Sequence, residues 1–107
     1  MSFDVERVSY ELIAALRPLL PRIQRRDRAL AIQLTRAASS VSLNVSEANY
    51  SDPGNRRARF YTAAGSANET RSALRVATAW GYLSRSDSEA PLMLLDRILA
   101  MLWKLSR

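Results

Sequence analysis

Apolar and small residues recur three and four positions apart along nearly the whole chain, the spacing of helices that bury one face. The longest such run lies between residues 53 and 82. There Phe60, Ala63, Ala67, Leu74, Ala77 and Gly81 alternate steps of three and four, with Thr70 filling one turn. Asp52 suits the N-cap and Pro53 the first helical position, where a missing N–H costs nothing. A helix over 53–82 would be about 45 Å long at roughly 1.5 Å per residue, so its partners must be long too. Ala63, Ala64, Gly65, Ser66 and Ala67 are all small, which predicts close approach of neighbouring helices there.

The same spacing predicts three more helices. Residues 4–24 carry Val5, Val8, Leu12, Leu16, Leu19 and Ile23 on one stripe, with Asp4 as cap. Pro18 and Pro21 each remove a backbone donor, which predicts a bend near Pro18 or a break with a second short turn after it. Residues 28–49 follow with Asp27 as N-cap and Leu30, Leu34, Ala37, Val41, Val45 and Ala48 as the apolar stripe. The run NYSDPGN is a turn, and YLSRSDSEAP is another. A last helix over 89–106 takes Ser86 with Glu89, or Ser88, as its start, the second fitting Pro91 at an early helical position. Leu92, Leu95, Leu99 and Leu102 form one stripe, and Met93, Leu94, Ile98, Met101, Trp103 and Leu105 lie beside it. Apolar residues over more than one face predict a second buried surface, hence oligomerisation. Four helices joined by short turns make an all-α, up-down-up-down four-helix bundle, with residues 1–107 as one domain.

Composition narrows the chemistry. At 107 residues and 48% hydrophobic content the chain can build a single core. It has neither cysteine nor histidine, so disulfides, thiolate metal sites and the commonest general base are excluded. No cofactor or metal is expected, and no enzymatic activity. No apolar stretch approaches the roughly 20 residues needed to span a membrane, and MSFDVERV lacks a signal-peptide pattern, so a cytoplasmic protein is expected. The net charge is +6, from fifteen arginines and one lysine against ten acids. Arginine's planar fork suits phosphates and carboxylates, while a GC-rich genome would favour arginine codons with no functional meaning. In the predicted topology the basic residues gather at two ends rather than on one face. Arg22, Arg25, Arg26, Arg28 and Arg85 fall at one end; Arg7, Arg56, Arg57, Arg59, Lys104 and Arg107 fall at the other.

Three constellations are candidate sites. Gln33, Arg36, Ser40, Asn44 and Glu47 share a helix face and are joined by Ser66 and Glu69. Glu47 and Glu69 as a carboxylate pair would be the catalytic reading. The structural reading is a buried polar network in which Arg36 pairs with Glu69, and Asn44 and Glu47 tie the second helix to the start of the third or to a neighbouring subunit. It is favoured because a di-metal bundle would present Glu-x-x-His motifs. The second constellation is arginine. Arg22, Arg25, Arg26, Arg28, Arg56, Arg57 and Arg59 are candidate RNA or DNA contacts, with Tyr50, Tyr61 or Tyr82 available for stacking. Asp27, Asp52, Asp87 and Glu89 would partly neutralise them. The third is Trp80, Trp103, Met93 and Met101, read as core or subunit interface rather than a ligand pocket. No base stands by to activate a serine, and no phosphate loop is present.

Two motifs carry a resemblance to a known family. The run Gln33-Leu34-x-Arg36-Ala37-Ala38-x-Ser40-Val41-x-x-Asn44-Val45-x-Glu47 resembles a signature of the bacterial four-helix proteins encoded in 23S rRNA intervening sequences. Ala63-x-Gly65-Ser66-Ala67-x-Glu69-Thr70 resembles the second signature. The chain departs at Ala48, where the family usually has glycine. That family includes the accessory variability determinant of diversity-generating retroelements. The resemblance implies a ring-shaped homopentamer of up-down bundles, and in the retroelement member a basic ring that binds nucleic acid and a reverse transcriptase. A nucleic-acid-associated adaptor is therefore the leading expectation, and a purely protein-binding scaffold the alternative.

Overall fold

The stripes of residues 4–24 and 28–49 turn inward whole, whereas in the last helix Leu95, Ile98 and Leu102 are buried and Leu92 and Leu99 of the expected stripe are half-buried. A computed structural model describes residues 3–107 and contains, among them, five α-helices and no strand. These are α1 (Phe3–Leu16), α2 (Leu20–Arg26), α3 (Arg28–Asn49), α4 (Pro53–Ala79) and α5 (Arg85–Leu105). The α4 helix, 27 residues long, spans roughly 40 Å at 1.5 Å per residue. That accounts for the 42 Å long dimension of the molecule.

The expected first helix is two helices. The chain leaves helical geometry after Leu16 and re-enters at Leu20, with Pro21 in the first turn of α2, where the lost donor matters least. Asp4 is not a cap: the helix already includes Phe3, and Asp4 reaches Arg7 at 3.7 Å instead. Asp27 does cap α3, its Oδ1 accepting from the Leu30 N–H at 3.0 Å. Asp52 caps α4 in the same way, accepting from Asn55 N at 3.1 Å.

The turn between α4 and α5 differs from expectation at both sides. α4 stops at Ala79, three residues short of Tyr82. Gly81 is not a stripe residue; it takes φ +80°, and the Tyr82 and Gly81 N–H groups donate back to Ala77 and Thr78. This is a Schellman termination, which needs a residue without Cβ at the left-handed position. α5 begins at Arg85, not 89, because Ser84 and Asp87 form a reciprocal capping box. Pro91 is then carried inside the helix, where the N–H that would have met the Asp87 carbonyl is missing.

α3 packs on α4 and on α1, α5 packs on α4 and on α1, and α2 lies against α3. Ser40–Ser66 and Glu47–Arg59 contacts show that α3 and α4 run antiparallel. Glu6–Asn49 and Ser9–Ser42 show the same for α1 and α3. The core holds every residue of the α1 and α3 stripes, plus Phe60, Ala63, Ala67, Leu74 and Ala77 of α4 and Leu95, Ile98 and Leu102 of α5. Thr70 is fully buried among them because its hydroxyl donates to the Ser66 carbonyl at 2.8 Å. Gly65 breaks the expectation of close approach: it is exposed, and a Cβ there would meet nothing within 4 Å. The small residues that bring helices together are Ala63 and Ala67, on the opposite side of that run.

Two adjacent aromatic residues test this packing. Phe60→Ala should lower stability by about 3–5 kcal/mol through lost burial and a cavity. Tyr61→Ala, at a side chain 74% exposed, should change it by less than about 0.5 kcal/mol. Paired thermal melts check both; equal losses would mean that the inward face of α4 is misplaced.

Candidate nucleic-acid interface

The basic end around α2 is built by a short helix held by one apolar anchor. Ile23 is fully buried, which turns Arg22, Arg25 and Arg26 outward on the remaining faces. Asp27 ends α2 and starts α3, placing Arg28 at the first position of α3. Two contacts tie this segment to the α4–α5 turn. Arg22 reaches Asp87 at 2.9 Å, and the Tyr82 hydroxyl donates to Asp27 at 3.4 Å. The Arg26 guanidinium lies over the Tyr82 ring, 5.5 Å from its centroid, within cation–π range.

Two of the three acids at this end are committed to backbone, while Glu89 is exposed beside Arg85 and Arg75 in one cleft. Asp27 caps α3, and Asp87 accepts from the Ser84 N–H at 2.8 Å while pairing with Arg22. These contacts hold the Asp87 carboxyl down at about 2, the Arg22 hydrogen bond being the largest cause and the Ser84 backbone N–H the next. Arg25, Arg28 and Arg85 are exposed and make no side-chain hydrogen bond or ion pair among the described residues. Arg85 lines a shallow cleft of about 490 Å³ together with Arg75, which is equally unpaired.

The opposite end is less available than its charge count implies. Arg56 donates to the Ala48 and Ser51 carbonyls at 3.3 and 3.2 Å, satisfying the end of α3. Arg59 pairs with Glu47 at 2.8 Å. Arg7 lies 3.2 Å from Glu11, and Arg107 lies over the Trp103 ring at 5.4 Å. Arg57 alone of its trio has no partner among the described residues.

The polar stripe of α3 lies on the surface rather than in the core. Gln33, Arg36, Glu47 and Glu69 are exposed, and Ser40, Asn44 and Ser66 are half-buried. Arg36 and Glu69 are not among the ion pairs of the described residues, so the pairing expected between them is absent within the chain. What forms is a smaller cluster. Ser66 donates to the Ser40 hydroxyl at 2.8 Å, and Asn44 donates to the Ser40 hydroxyl and carbonyl at 3.0 and 2.8 Å. Arg36, Asn44, Glu47 and Arg59 line an open cleft of about 470 Å³ beside it.

The buried polar contacts lie elsewhere, between α1 and α3. Ser42 donates to Ser9 at 2.9 Å, Ser9 to the Glu6 carbonyl at 2.6 Å, and the Asn49 amide to Glu6 at 2.8 Å. Spacing could have found them. Ser9 sits four after Val5 and three before Leu12; Ser42 and Asn49 sit four and eleven after Ala38. Of the two places expected for the large apolar residues, core or subunit interface, the chain's own core is excluded for three. Trp80, Trp103 and Met93 are 68%, 65% and 68% exposed rather than in the core, and Met101 is half-buried.

With this geometry in place, the comparisons with known proteins can be read. The family described as 23S rRNA-intervening sequence protein matches residues 2–104, and the chain belongs to that family. The fold is shared with the crystal structure of a protein of unknown function from the S23 ribosomal protein family of Bacteroides thetaiotaomicron. That similarity has a TM-score of 0.88 at 20% identity, covering 96% of this chain and 98% of that one. No curated protein matches the sequence significantly. No helix among the described residues is long and apolar enough to cross a membrane.

The Arg22–Asp87 contact makes stability depend on pH. The Asp87 carboxyl titrates at about 2 in the folded chain, below its ordinary 3.8, so the folded state favours the ionised form. Its contribution is complete above about pH 4 and is lost as pH falls toward 2. The stability gap between the native chain and Asp87→Asn should therefore narrow between pH 4 and 2 in urea titrations. A gap constant over that window would contradict the contact.

Proposed function

We propose that this protein is a non-enzymatic, cytoplasmic adaptor whose arginine-rich end contacts RNA or DNA. Its subunits are up-down-up-down four-helix bundles assembled as a ring-shaped homopentamer. The observation that carries the reading is the surplus of charge at the α2 end. Asp27 and Asp87 are consumed by caps and by Arg22, so Glu89 alone remains against the unpaired Arg25, Arg28, Arg75 and Arg85. A ring would repeat that surplus in every subunit, and multiplied weak contacts reach useful affinity. The family resemblance adds a reverse transcriptase as the kind of protein partner such an adaptor serves. The second reading, a purely protein-binding scaffold, is favoured by the exposed Met93 and Trp103 on α5.

Binding of labelled structured RNA and duplex DNA over a salt series tests the nucleic-acid reading. Affinity should fall linearly in log–log coordinates. Replacing Arg25 and Arg28 by alanine should lower the slope by about 1 for each phosphate contact removed. Arg56→Ala and Arg59→Ala, at the occupied end, should leave it unchanged. No binding at moderate salt overturns the reading.

Light scattering tests the assembly, with five subunits expected. Glu69 has no ion pair or hydrogen bond among the described residues. Glu69→Ala should therefore leave monomer stability unchanged and lower the assembled mass. Unchanged mass would remove Glu69 from the subunit contacts.

A further inference from the structure

The α4–α5 turn presents an aromatic surface that no packing within the chain explains. Trp80 stands just past the end of α4 with 68% of its surface exposed, where an uncovered indole is unfavourably hydrated. Its ring is nearly parallel to that of Tyr82, with 16° between the planes and centroids 6.5 Å apart. The pair is held in place from several sides. Gly81 sets the turn at φ +80°, and the Tyr82 N–H donates to the Ala77 carbonyl at 2.9 Å. Arg26 covers the Tyr82 ring, and Asp27 accepts from its hydroxyl. Tyr82 is therefore oriented before anything binds and gives Trp80 a fixed ring to lie against, which lowers the entropy lost on binding.

We propose that Trp80, backed by Tyr82, is a stacking platform for the unpaired bases of a single-stranded nucleic acid, with Arg25, Arg28 and Arg85 taking its phosphates. The proposal rests on the nucleic-acid reading above and adds to it the strand form and the residues that read it. Two features select this occupant. Every nucleotide of a single strand offers a flat ring and a negative charge together, matching an aromatic platform beside unpaired arginines. A duplex keeps its base faces stacked inside, so it meets the arginines but leaves Trp80 uncovered. The other exposed tryptophan differs: Trp103 lies at the far end of α5, and among the described residues no second aromatic ring backs it.

The test uses the full chain with a dye-labelled single-stranded RNA of about 12 nucleotides and its duplex form, each over a salt series. Trp80→Ala should weaken single-strand binding roughly 5- to 150-fold with the salt slope unchanged, because no phosphate contact is removed. Trp80→Phe should restore part of the loss, and duplex binding should hardly change. In Trp103→Phe, where Trp80 is the sole indole, the single strand should quench tryptophan fluorescence and the duplex should not. Trp80 is exposed, so equal melting temperatures will confirm that the variants fold. Single-strand binding that persists in Trp80→Ala, or fluorescence unchanged in Trp103→Phe, overturns the platform while leaving the adaptor reading standing. Failure of the native chain to bind either form sinks both and leaves the aromatic patch to a protein contact.

Discussion

α3 and α4 each bury four alanines, and small side chains at a helix contact let two axes come close. They are Ala31, Ala37, Ala38 and Ala48 on α3 and Ala63, Ala67, Ala73 and Ala77 on α4, with Phe60 and Leu74 as the bulky buried residues of the longer helix. Interaxial distances follow the size of the side chains at the contact. A seam of methyl groups lets two serine hydroxyls, Ser40 and Ser66, meet across it at 2.8 Å. Larger residues on either side would hold those hydroxyls apart. Deep burial of short chains also explains why no buried side-chain nitrogen or oxygen among the described residues lacks a partner. Each polar group near the seam has a neighbour or a carbonyl one turn away.

The electrostatics follow from how the helices are started. Asp27, Asp52 and Asp87 all accept backbone N–H groups at helix N-termini, where negative charge is favourable. Asp27 and Asp52 pair with no arginine among the described residues, and Asp87 neutralises only Arg22. Arginine is used unevenly in return. Arg56 closes the carbonyl end of α3, and Arg59 is matched to Glu47, so much of the charge beside the α3–α4 turn is structural. The end carrying α2 keeps its unpaired cations, and that asymmetry cannot be read from a net charge.

Much of the architecture was legible in the chain because periodicity reports burial directly. The stripes of α1 and α3 are buried without exception, and the caps Asp27 and Asp52 are where their spacing placed them. The misses come where a local turn or cap had a stronger claim than the pattern. Pro91 suggested a helix start, but the Ser84–Asp87 box begins α5 earlier. Gly81 fitted the apolar stripe, yet the turn needs its positive φ. Trp80 and Trp103 were read as core or subunit interface, and the core of the single chain does not take them. Position in the period marks Ser9 and Ser42 as buried despite their polarity, whereas at Gly81 the turn overrode the period. Which arginines stay free was not legible, since that depends on contacts between segments far apart in sequence, such as Arg22 with Asp87.

The pairing of α1 with α5 has a geometric consequence of its own. α1 runs antiparallel to α3, α3 to α4, and α4 to α5 across a short turn, so α1 and α5 also run in opposite directions while packing together. Phe3 and Arg107 therefore emerge at the same pole, roughly one α4 length, about 40 Å, from Trp80 and the arginines around α2. Whatever is tethered to either terminus hangs from that far pole. A label, a surface attachment or a fused domain can be joined there, at either end of the chain, without shadowing the pole where the free cations lie.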